Sequence, residues 1–115
     1  METSNLRIVM GLKDKLRQGV EYSRGELSSA LPLEGDDVGL SRYDLAIQAV
    51  VNVRKGYEKQ VSDCFARGEI TQRDKDNLIN EANGSGRGFQ PVIWGIKMLK
   101  RKAIGVLAAM EEDRV

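Results

Sequence analysis

Between residues 41 and 66 the apolar side chains recur in steps of three and four. Tyr43, Ile47, Val50, Tyr57, Val61 and Phe65 form a stripe, flanked by Ala46, Val53 and Cys64. At 100° per residue these positions lie within about 60° of one line. Such a stripe predicts one long helix beginning at Ser41, with a face that must be buried against other elements. Ser41 with Asp44 three residues later resembles a capping box, with Asp in place of the usual Glu or Gln. Gly56 interrupts the helix and is expected to weaken or kink it.

The other segments follow the same period. From about Ser4 to Tyr22, Leu6, Val9, Leu12, Leu16 and Val20 mark an amphipathic helix capped by Thr3 or Ser4. Glu26 to Leu31 reads as a short helical turn stopped before Pro32, and 32–40 as a flexible connector. Gly68 supplies a helix C-terminus, Thr71 caps a new helix with Asp74 at the box position, and Asn83-Gly84 is an αL-tolerant end. The stretch "FARGEITQRDKDNLINEA" at 65–82 resembles the helix–Gly-x-Ile-Thr–helix pattern of the short SHOCT-type bacterial segments. That resemblance implies a local helix–turn–helix shape and carries no function. A second connector spans 83–90.

A last helix is expected from Pro91, with Val92, Ile96, Leu99, Ala103, Val106, Leu107 and Met110 as its stripe. Its acidic end, in 111–115, meets an unfavourable helix dipole and is expected to fray. No alternating run long enough for a sheet is present. The expected fold is all-α: a single domain over 1–115, a small bundle of about four helices, two of them long.

Residue inventory narrows the chemistry. Histidine is absent, which removes imidazole acid–base work, Ser-His-Asp and Cys-His nucleophile systems and His-ligated zinc. The single cysteine, Cys64, excludes a multi-Cys metal site and any intramolecular disulfide, and fits a reducing compartment. Asp36-Asp37 lacks calcium-loop spacing. No metal, cofactor or enzymatic activity is expected. The opening residues lack a signal-peptide pattern and no run of about 18 uncharged apolar residues occurs. A cytoplasmic protein without membrane contact is the expectation. The net charge of +1 creates no global pull toward nucleic acid.

Three local features stand out. Gly84-Ser85-Gly86-Arg87-Gly88 opens toward a helix but follows a helix rather than a strand, so it reads as a connector and not as a phosphate loop. Trp94, the only tryptophan, falls at about 160° from the stripe of the last helix, with Lys97, Met98 and Arg101 beside it. An off-core aromatic among cations has the composition of a binding hot spot. The contrasting reading packs Trp94 under the glycine loop or against the first helix. Third, Arg54 stands within the stripe of the long helix, where it needs an acid such as Glu34, Asp36 or Asp37, or a route to water.

The functional expectation is a non-enzymatic protein–protein interaction module, an adaptor, inhibitor or assembly factor, with self-association open to it. Trp94, Lys97, Met98 and Arg101 would form its partner-binding face. The alternative is nucleic-acid binding through Arg87, Lys97, Lys100, Arg101 and Lys102, which predicts steep salt dependence.

Overall fold

The computed structural model describes residues 5–29, 41–84, 86 and 88–112, without the side chains of 29, 107 and 110–112. Four helices and no strand occur among the described residues: α1 (Leu6–Ser29), α2 (Ser41–Ala66), α3 (Gln72–Asn83) and α4 (Gln90–Glu112). The all-α expectation holds.

The α2–α3 turn follows its local chemistry closely. Gly68 adopts φ 74°, the one positive φ among the described residues. The Glu69 N–H donates to the Cys64 carbonyl at 3.0 Å and the Gly68 N–H to that of Phe65 at 2.9 Å. This is a Schellman C-cap, with glycine where a Cβ would be strained. Thr71 then caps α3: its Oγ1 accepts from the Asp74 N–H at 3.2 Å and donates to Asp74 Oδ2 at 3.1 Å.

α1 and α2 run antiparallel. The Asn5 N–H donates to the Glu69 carbonyl at 3.0 Å, tying the start of α1 to the α2–α3 turn. Farther up, a Cβ on Gly19 would meet Phe89 and Val53, which shows how closely α1, α2 and the start of α4 approach there. Leu27 packs over Gly95, and Lys100 reaches Asp44 in the first turn of α2. α1 and α2 thus form a two-helix hairpin. α3 covers its groove at the turn end, and α4 continues along the same groove toward the other end. One cluster of buried residues joins all four helices, including Val20, Val50, Val61, Leu78, Phe89 and Ile96.

The stacking of α3 before α4 makes the molecule long. Its extents are 72 × 19 × 18 Å and its radius of gyration 18.5 Å, against ~13 Å for a compact domain of this size. Lys100 already lies level with the start of α2. The rest of α4, residues 104–112, therefore runs past the hairpin for roughly 13 Å.

Several local expectations need correction. α1 does not stop near Tyr22 but continues through Gly25 to Ser29. Burial of Ser23 and the contact of Leu27 with α4 hold that last stretch, although Gly25 weakens it. Thr3 and Ser4 lie outside the described residues, and Asn5 supplies the cap, its Oδ1 accepting from the Arg7 N–H at 3.1 Å. Leu6, placed on the α1 stripe, is exposed, because the stripe enters the core only at Val9. Gly84 closes α3 at φ −68°, in extended rather than left-handed backbone. α2 is unbroken across Gly56. α4 starts one residue earlier than Pro91, at Gln90. Val106, also placed on a buried stripe, is 58% exposed because none of the described helices extends far enough to cover it. The connector at 32–40 and residues 113–115 lie outside the described residues.

Candidate interaction surface

The core side of α4 is Val92, Ile93 and Ile96, all buried, then Leu99 and Ala103, partly buried. Phe89, just before the helix, is fully buried. Its N–H donates to the Ala82 carbonyl at 2.9 Å, and its carbonyl accepts from the Ile93 N–H at 3.1 Å. Gly88 beside it has no room for a side chain: a Cβ would land on the carbonyl oxygens of Ala82 and Glu81. The buried aromatic of this joint is thus Phe89, not Trp94. Extending the α4 stripe back by one three-residue step, from Val92 to Phe89, finds it.

Trp94 is 51% exposed and Met98 59%. Lys97 and Arg101 are exposed too. Positions 94, 97, 98 and 101 share one face of a helix, and here it is the face turned away from the hairpin. The reading in which Trp94 packs under the glycine loop or against α1 is corrected: Phe89 and Ile93 already fill that space.

The basic residues of the alternative reading are divided. Lys100 Nζ lies 2.8 Å from Asp44 Oδ1, bridging α4 to α2. Lys97, Arg101 and Lys102 face solvent, and Arg87 lies outside the described residues. Asp44, at the box position three residues after Ser41, also receives Lys100 through its Oδ1.

Elsewhere the side chains that resemble chemical groups have structural surroundings. Arg54 is partly buried, with Nε 3.5 Å from Glu58 Oε1 one turn along α2, a contact without hydrogen-bond geometry. Glu34, Asp36 and Asp37, the acids expected to meet it, lie outside the described residues. The Tyr43 and Tyr57 hydroxyls are buried with no partner among the described residues. Burial, and secondarily Glu81, pushes the Tyr57 phenol far up. Burial and then Glu69 raise the Cys64 thiol, with Arg67 opposing, so the thiol stays protonated at neutral pH. Arg67 grips Glu69 through Nε at 3.0 Å and Nη2 at 3.3 Å, and holds that carboxyl below its ordinary range.

An open depression of about 530 Å³ runs along α1, walled by Met10, Lys13, Asp14, Arg17, Arg24 and Glu81. Its charges alternate in sign, and Arg17 Nη2 is bound to Asp14 Oδ1 at 3.0 Å. No group of three potential metal ligands occurs among the described residues, and no helix among them is long and apolar enough to cross a membrane. No protein-family model matches the chain, and comparisons with curated proteins and with solved structures find no significant match.

Proposed function

We propose that the protein is a non-enzymatic interaction module that presents the outer face of α4 to a protein partner, a second copy included. One observation carries the reading: Trp94 and Met98 stand half exposed, between Lys97 and Arg101, on a face the core does not use. Large aromatic and thioether side chains flanked by cations are the usual composition of an interface centre. Tryptophan is on average a highly buried residue, and Trp94 here has Met98 exposed beside it. The nucleic-acid alternative places the same cations against phosphate. Lys100, directed to Asp44, supports the protein reading by leaving fewer cations for a phosphate track.

The test is partner capture with the wild-type chain and with Trp94→Ala/Met98→Ala, under matched folding by circular dichroism. The reading expects a stoichiometric protein partner, or self-association, that disappears in the double variant. A partner retained by that variant, or a nucleic-acid complex dissolved by moderate salt, overturns it.

A further inference from the structure

The end of α4 carries more information about what covers this face. From Ala103 to Met110 eight consecutive residues have no polar side chain. Ile104, Gly105, Val106, Ala108 and Ala109 are all exposed. A helix that is apolar on every side is normally buried. Here it projects past the α1–α2 hairpin. Immediately before it lie Lys97, Arg101 and Lys102, and immediately after it Glu111 and Glu112. The basic half of α4 lies on the bundle, whereas the acidic half forms the projecting arm.

On the outer face, positions 94, 98, 101, 105, 108 and 112 recur in steps of four and three. That is the 3.5-residue period of a helix–helix seam. Read in chain order they are Trp, Met, Arg, Gly, Ala and Glu: large, then small, then acidic. The inner positions are complementary in size to their own reverse, and the basic and acidic ends are complementary in charge, while Trp94 falls opposite the acidic end. Set antiparallel about a point near Ala103, position 94 meets 112, 98 meets 108, and 101 meets 105. Met98 then meets the small Ala108, and the Arg101 stem crosses Gly105. Lys97 comes within one turn of Glu112. A parallel pair would instead set cation on cation and acid on acid.

We infer that this face is covered by a second copy of the chain. The projecting arm of each α4 lies antiparallel across the Trp94–Met98 face of the other, in a two-fold dimer. This rests on the interaction reading above and names its partner. Two-fold pairing uses the same patch on both copies, so each seam contact occurs twice. A contact of two half-helices is at the small end of interface sizes, where transient pairing is the rule, so the mass of the protein depends on its concentration.

The experiment is sedimentation equilibrium of the full chain at low salt, from micromolar to millimolar, with Lys97→Glu, Glu112→Lys and the double variant. Each single change sets like charges opposite one another at two symmetric places and raises the dissociation constant about tenfold. The double variant returns it to near the wild-type value, because the ion pair is reversed rather than lost. Lys97 and Glu112 are too far apart along one helix to couple within a chain, so this restoration is specific to antiparallel pairing. Ala108→Lys, which sets a cation at an exposed position opposite Met98 and its flanking Lys97 and Arg101, gives a monomer with unchanged helicity. A chain monomeric at every concentration overturns the inference, as does a dimer indifferent to these changes or a double variant as weak as the singles. The wider interaction reading falls separately, if Trp94→Ala/Met98→Ala leaves a protein partner bound or if the chain instead forms a salt-sensitive nucleic-acid complex.

Discussion

The two ends of the molecule handle their apolar residues in opposite ways. At the α2–α3 turn the local signals and the tertiary contacts coincide. Gly68, Thr71 and Asp74 shape the reversal, Ile70 is buried beneath it, and Asn5 ties α1 to it. At the far end, α4 continues past the hairpin and exposes Ile104 and Val106, which differ little in chemistry from the buried Ile96 and Val92. The difference teaches that an apolar stripe states which side of a helix wants cover, whereas cover itself depends on how far the neighbouring helices reach. The joint before α4 determines that reach, because it sets where along the hairpin α4 begins.

The contrast breaks most sharply at the joint. Phe89→Ala empties a fully buried site between α1, α2 and α4, and is expected to cost about 4 kcal/mol in urea unfolding. Gly88→Ala forces a Cβ onto two backbone carbonyls of α3. A loss of about 2–3 kcal/mol is expected in the same assay. If either change is silent, α4 is not anchored there. Thr71→Ala removes the α3 cap bond and should cost about 1 kcal/mol, read as a lower melting temperature. Gly105→Ala has the opposite sign. Nothing lies within 4 Å of its Cβ position, so the arm gains helix propensity, and stability should rise by about 0.5–1 kcal/mol at concentrations where the chain is monomeric. A loss at Gly105 instead would mean that the arm packs against its own chain.

Much of this structure was legible from residue order. The α2 stripe and the Gly68–Thr71 reversal follow from backbone sterics and the helical period, which act over a few residues, whereas the choice between an exposed and a packed Trp94 needed the tertiary structure. α1 was read too short because Gly25 and the polar residues around it weaken a helix locally, while Leu27 is supported by α4, which is remote in sequence. Phe89 was passed over because glycines and a proline beside it marked the stretch as a connector. Arg54 needs an acid or a route to water by its place in the stripe, and the acid found beside it is Glu58, one turn away in the same helix.

The sequence alone therefore determined the all-helical architecture, the positions of the principal helices and the capping residues of one turn. Only the tertiary structure decided that Lys100 turns to Asp44, that Phe89 anchors α4, and that α3 and α4 share one groove in succession. The same stacking leaves Ile104 and Val106 of α4 uncovered. The physical reason is that periodicity encodes an angle around a helix axis. The distance along that axis at which a neighbour begins and ends is set by packing between residues far apart in the chain.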